Sequence, residues 1–294
     1  MEDSRQGPTA RWVDQWVVAR LAAAGCVAPD EEAREMRAAA GDDHERLAAM
    51  VTRRQAGEPL AWITGSVWFC GLPVAVERGV YVPRPQTEIL VAAALEVLPR
   101  AGVAVDLCTG SGAVAVALRA GRPGAMVRAV DIDPVACRCA RSNGVDVVEG
   151  DVATTLSAST TLSASTTLSA STDRLGRSDL DGSVDVVTAV APYVPSGEVE
   201  FLPRDFRDWE PRLALDGGED GLGVLRQVVA AAAGLLRPGG ALVLELGADQ
   251  DALLQADLAT AGFDVPPRRF YDDDGDLRAI RARFGARRRV RVDP

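Results

Sequence analysis

The chain contains no lysine; all of its 32 basic residues are arginine. With the abundance of Ala, Gly and Val, this points to GC-rich coding bias. Histidine is nearly absent as well, with His44 alone in 294 residues, which excludes a catalytic His pair and a His-rich metal site. The five cysteines (Cys26, Cys70, Cys108, Cys137, Cys139) make no metal pattern, because Cys137-x-Cys139 is tighter than a zinc knuckle and has no second pair. An odd number of thiols fits a reducing cytoplasm. No apolar run reaches membrane-spanning length without a charge, and the N-terminus has no charged-then-apolar signal. The net charge of −10 and pI near 4.8 argue against a nucleic-acid partner, which requires a positive face. The basic run Arg287-Arg288-Arg289-Val290-Arg291 is read as a frayed terminus. A cytoplasmic protein, monomeric and without membrane contact, is expected.

What is present is a change of pattern along the chain. Residues 8–56 read as three short helices. Trp12, Val13, Trp16, Val17 and Leu21 recur at helical spacing, Pro29-Asp30-Glu31-Glu32 opens the second helix, and Asp42-Asp43 caps the third. Residues 66–82 alternate around Gly71-Leu72-Pro73 and predict a β-hairpin. From about residue 85, short apolar strands alternate with helices: 103–108, 126–130, 145–148, 184–190 and 241–246, with two closing segments at 264–271 and 277–284. The pattern predicts an α/β fold, a Rossmann-like parallel sheet covered on both faces and preceded by a small helical domain. The expected boundaries are 1–65 for the helices, 66–84 for a hairpin linker and 85–294 for the sheet domain. Within the last, TTLSAS repeated three times from Thr154 marks a low-complexity surface loop over 153–182.

In such sheets ligands sit at the carboxyl ends of the strands. There the sequence Asp106-Leu107-Cys108-Thr109-Gly110-Ser111-Gly112 offers glycines for close backbone approach and a helix N-terminus behind them. Asp131-Ile132 ends the second strand and Asp151-Val152 follows the third. Asp106 suits a cationic amine, Asp131 the two hydroxyls of a ribose, and Asp151 an adenine amino group. Gly110-x-Gly112-x-x-Ala115 also satisfies a dinucleotide fingerprint. Asp106 separates the two readings, because a carboxylate beside the loop repels a pyrophosphate and attracts the ammonium and sulfonium of S-adenosylmethionine.

These features, taken with further motifs, make the chain resemble the protein-(glutamine-N5) methyltransferases that modify peptide chain release factors. The likeness runs from about Arg53 to Phe284. It rests on Arg53-Arg54-x-x-Gly57-Glu58-Pro59-Leu60-Ala61-Trp62-Ile63-x-Gly65, and on Pro83-Arg84-Pro85-Gln86-Thr87-Glu88, where Gln86 replaces a glutamate. It rests also on Glu210-Pro211-Arg212-Leu213-Ala214-Leu215-Asp216-Gly217-Gly218-Glu219-Asp220-Gly221-Leu222. The resemblance implies a five-helix-like N-terminal domain that recognises a protein, and a class I methyltransferase sheet. It also implies a release factor as partner, methylated on the glutamine amide of Gly-Gly-Gln.

The departure from the family lies at Val190-Ala191-Pro192-Tyr193, where the family carries Asn-Pro-Pro-Tyr. In the family pattern the asparagine side chain and the first proline's carbonyl accept the two N–H bonds of the substrate amide. Here Ala191 keeps a carbonyl, Pro192 stiffens the turn and Tyr193 offers a flat wall, but Val190 has no acceptor. Losing one such hydrogen bond costs roughly 10²–10³ in rate. Asp205, Asp208 and Glu210 are candidates for a compensating oxygen. A diverged enzyme with another N or O acceptor, a nucleic-acid N-methyltransferase and a non-catalytic cofactor-binding relative remain alternatives at this point.

Overall fold

The computed structural model describes residues 8–152, 180–247 and 249–285. The TTLSAS repeats and the arginine-rich tail lie outside them. The chain opens with helices α1 (Pro8–Ala23), α2 (Pro29–Ala40), α3 (His44–Gln55) and the short α4 (Leu60–Thr64). Pro29 sits in the first turn of α2, where its missing N–H costs nothing, and Asp30, Glu31 and Glu32 face the positive helix end. Asp43 caps α3 by accepting from the Arg46 N–H at 2.9 Å. Leu21, Met36, Leu47 and Met50 close a separate apolar core among these helices. The sequence suggests three helices and the family resemblance five; the described residues contain four. The fourth escapes periodicity analysis because it has only five residues, ended by Gly65 in the left-handed conformation.

The hairpin consists of β1 (Ser66–Phe69) and β2 (Leu72–Ala75). Its turn is Cys70-Gly71, both at positive φ, as a two-residue hairpin loop requires. Leu72 and Pro73 belong to the second strand, and a proline is tolerated there because the two-stranded sheet is all edge.

Helix α5 (Glu88–Leu95) then leads into β3 (Val103–Leu107), α6 (Ala113–Gly121), β4 (Met126–Asp131), α7 (Pro134–Ser142) and β5 (Asp146–Glu149). After the undescribed segment come β6 (Val184–Ala189), α8 (Gly223–Leu235), β7 (Leu236–Glu245), α9 (Gln250–Thr260), β8 (Arg268–Tyr271) and β9 (Leu277–Arg283). They form one seven-stranded sheet in the order β5-β4-β3-β6-β7-β9-β8. The expected parallel sheet is corrected at one strand. β9 pairs antiparallel with both β7 and β8, because the short turn after β8 sends it straight back along its neighbour. β7 also begins earlier than expected: Val184 pairs with Leu236 but Val186 with Ala241, so the Arg-Pro-Gly-Gly stretch is a bulge inside the strand.

Two apolar cores cover the sheet. One face packs Leu107, Val187, Leu242 and Leu244 against Leu225 and Val228 of α8. The other packs Ala104, Val186 and Val243 against Leu90 of α5 and Leu118 of α6. Strand order reverses between β3 and β6, and the crevice beyond their carboxyl ends is the place where such sheets bind ligands.

Candidate functional site

The turn from β3 into α6 is built on glycines with specific tasks. Gly110 and Gly112 hold φ of 57° and 82°, a conformation that disfavours a Cβ. At Gly112 an added Cβ would also lie 2.7 Å from a Val145 methyl, whereas the space above Gly110 is open. Backbone can therefore approach a ligand closely at Gly110. Cys108 adopts φ 56° without being glycine, so the turn carries local strain. Its thiol is pushed up by burial first, and then by Asp131, Asp106 and Asp151 around it. The Ser111 hydroxyl is buried without a hydrogen-bond partner among the described residues.

Asp106 lies one residue before the end of β3 and is 1% exposed. Its two oxygens accept from the Thr109 hydroxyl at 2.6 Å and the Thr188 hydroxyl at 2.7 Å. Burial outweighs those bonds and pushes the carboxyl up to about 7, with Asp131 adding to the rise. Asp131 ends β4 and accepts from the Gly110 N–H at 2.7 Å and the Asp133 N–H at 2.9 Å. It too is raised, by burial against those backbone bonds. Each of these oxygens keeps a further lone pair. Asp151 stands two residues beyond the end of β5, half-buried, with Val152 buried beside it and Ile132 at the mouth. Asp106, Cys108, Thr109, Gly110, Ser111, Asp131, Ile132, Asp151 and Val152, but not Gly112, line one cleft, whose empty space, mouth included, is about 1170 Å³. That is ample for a nucleoside joined to an amino acid. Five aspartates line the cleft (Asp106, Asp131, Asp133, Asp151, Asp216), and no arginine is among its described lining residues.

A second cleft adjoins the first, and Tyr81, Val190 and Ala214 line both. Val190, Ala191 and Tyr193 line the second cleft together with Glu245 and Arg278. Ala191 is buried, and its carbonyl makes no hydrogen bond with the described residues. The Tyr193 hydroxyl donates to Glu245 Oε1 at 3.4 Å, and its backbone carbonyl accepts from Gln250 at 2.8 Å. Burial and the neighbouring Glu245 both push the Tyr193 phenol up.

The turn is braced from behind. Val194 N–H donates to the Leu215 carbonyl at 3.0 Å, and Gly217 N–H to the Val194 carbonyl at 2.8 Å. A Cβ at Gly217 would stand 2.7 Å from the Pro192 carbonyl.

The three acids proposed as substitutes for the missing asparagine are engaged elsewhere. Asp205 pairs with Arg54 and Asp208 with Arg204 and Arg207. Glu210 is buried against Arg84, and burial lifts it to about 7 against that cation's pull. None of the three lines the second cleft. The acid that does, Glu245, was not anticipated from the sequence. Its only local signal is a charged residue at the carboxyl end of an apolar strand.

No protein-family model matches the chain. Individual relatives do. A release factor glutamine methyltransferase of Streptomyces coelicolor is 38% identical over 247 residues, 77% of this chain and 80% of that one. Another, from Moorella thermoacetica, is 40% identical over 72% of this chain and 69% of the relative. A third, from Deinococcus radiodurans, is 37% identical over 87% and 81%. The chain belongs to the release factor glutamine methyltransferase family. The family's methyl donor is S-adenosylmethionine, and the first cleft fits it. An acidic cradle without a cation welcomes a sulfonium and an ammonium and would repel a pyrophosphate. The dinucleotide reading is thereby set aside. Among the described residues no group of His, Cys, Asp or Glu is arranged to hold a metal, and no helix is long and apolar enough to cross a membrane.

Proposed function

We propose that this protein methylates the side-chain amide nitrogen of a glutamine in a peptide chain release factor, in the Gly-Gly-Gln motif. The supporting observation is the meeting of the acidic, arginine-free cleft with a second cleft at Val190-Ala191-Pro192-Tyr193, in a chain 38% identical to a release factor glutamine methyltransferase. The substrate reading puts the reaction in the cytoplasm.

In this reading the Thr109-Gly110-Ser111-Gly112 turn takes the amino-acid end of the donor, with Asp106 and Cys108 beneath it. Asp131 takes the ribose hydroxyls, Ile132 and Val152 cover the purine, and Asp151 accepts from the purine amine. The bound donor supplies an electrophilic methyl group. What remains for the chain is orientation of a weak nucleophile, since an amide lone pair is delocalised into its carbonyl. An acceptor on each N–H turns the lone pair towards the electrophile and stabilises the positive charge that develops. Ala191 offers its carbonyl for one N–H, Pro192 fixes that carbonyl's direction, and Tyr193 presents its ring to the flat amide. The helices of residues 1–65 recognise the folded substrate, and residues 66–84 join them to the sheet domain.

Val190 sustains a second reading, an enzyme of the same chemistry with another N or O acceptor. Mass spectrometry of a release factor incubated with enzyme and donor separates the two. A gain of one methyl on the Gly-Gly-Gln peptide is expected. No gain, with Val190→Asn also inert, would refute the glutamine reading.

A further inference from the structure

Glu245 is the last residue of β7 and only 4% exposed, yet its Oε2 has no hydrogen-bond partner among the described residues. Its Oε1 has the long 3.4 Å contact with Tyr193, and the buried Thr87 hydroxyl stands beside the carboxyl without meeting hydrogen-bond geometry. Two arginines share the cleft, but their strong contacts lie elsewhere. Arg84 is paired with Glu210, and Arg278 binds Asp272 at 2.6 Å and Asp276 at 2.9 Å. A buried carboxylate oxygen facing a cleft is waiting for a donor.

Register tells where that oxygen stands. Thr188 is level with Val243 and Ala189 with Leu244 in the parallel β6–β7 ladder. Continuing one step sets Val190 level with Glu245, on strands about 4.8 Å apart. Side chains alternate faces along a strand, so level residues of neighbouring parallel strands point the same way. Val243 and Val190 indeed pack with the same core.

We propose that Glu245 supplies the side-chain acceptor that Val190 lacks, receiving one N–H of the substrate's primary amide while the Ala191 carbonyl receives the other. This rests on the glutamine reading given above. It adds a selectivity: the site takes an NH₂ donor and rejects the carboxylate of a glutamate at the same position.

The test uses the full chain in two measurements. Binding of Gly-Gly-Gln and Gly-Gly-Glu peptides is titrated calorimetrically into protein saturated with S-adenosylhomocysteine. At least about tenfold preference for the glutamine peptide is expected in the wild type. Glu245→Ala, which leaves no acceptor, should erase it. In turnover, Glu245→Ala should lower kcat by roughly 10²–10³ with donor affinity unchanged. Glu245→Gln, whose amide oxygen still accepts, should lose less, and Val190→Asn added to Glu245→Ala should restore most of the loss. No preference in the wild type, an unaltered kcat in Glu245→Ala, or a Glu245→Gln enzyme as defective as Glu245→Ala would each overturn the inference. Preference for the amide without methyl transfer would instead refute the glutamine reading and leave the role of Glu245 standing.

Discussion

Asp106 gives the donor cleft a pH dependence that can be worked out before it is measured. Its carboxyl, pushed up to about 7 by burial, is raised from an ordinary value of 3.8. A raised carboxyl favours the folded state when protonated. Its contribution to stability is therefore full below pH 4 and is lost as pH rises towards 7. Donor binding has the opposite sign, because an ammonium selects the ionised form. The apparent dissociation constant then scales inversely with the ionised fraction, and should fall roughly 25-fold between pH 5.5 and 7.5, about 1.9 kcal/mol. The donor's own amine and Asp131 are also present in Asp106→Asn, whose side chain can still bond Thr109 and Thr188. Calorimetric titration of S-adenosylmethionine into both proteins across that range isolates the Asp106 share as the difference between the two slopes. Equal slopes would refute the assignment of Asp106 to the donor's amine. The carboxylate would then serve only to strap Thr109 to Thr188 beneath the glycine turn.

Two substitutions test the geometry around the clefts. Cys108→Gly relieves a left-handed φ of 56° and should raise unfolding stability by about 1 kcal/mol, read as a higher denaturant midpoint with an unchanged slope; a lower midpoint would show that thiol packing outweighs the strain. Gly217→Ala sets a methyl 2.7 Å from the Pro192 carbonyl, so kcat should fall at least about tenfold while the calorimetric donor affinity stays within twofold; loss of both would mean that the two clefts are not independent.

The glycine turn and the strand-end acids were legible because their signals are local, lying within a few residues of a strand end. The partners of those residues were not. Asp106 could be read as an acid beside a loop, but Thr188, 82 positions further on, was visible only after β3 and β6 had paired. The Arg53-Arg54 motif could be read as a junction, yet Arg54 is held by Glu32 at 2.7 Å and by Asp205 at 3.1 Å, from opposite directions along the chain. The guess that Asp205, Asp208 or Glu210 replaces the missing asparagine failed for the same reason. Sequence proximity to the turn placed them near it, whereas their charges are already matched by Arg54, Arg204, Arg207 and Arg84. Finding Glu245 needs the register of β6 against β7, which no local pattern encodes.

The long Glu210–Leu222 motif then has a structural cause. Glu210 takes the guanidinium of Arg84 from the Pro-Arg-Pro segment, and that guanidinium lies over the Tyr81 and Phe206 rings. Asp216 accepts from the Ser196 hydroxyl at 2.6 Å and the Gly218 N–H at 3.0 Å, and Gly217 and Gly221 crowd directly against Pro192 and Tyr193. The two motifs that mark the family are therefore one scaffold, closed by an ion pair, that packs against the Pro192-Tyr193 turn. Relaxed selection on acceptor geometry would be expected to loosen that scaffold, since its glycines and its buried pair are costly to keep. Both are intact here. The change at Val190 therefore sits in a turn that is still held in place, and the acceptor it removes has a carboxylate level with it on the next strand.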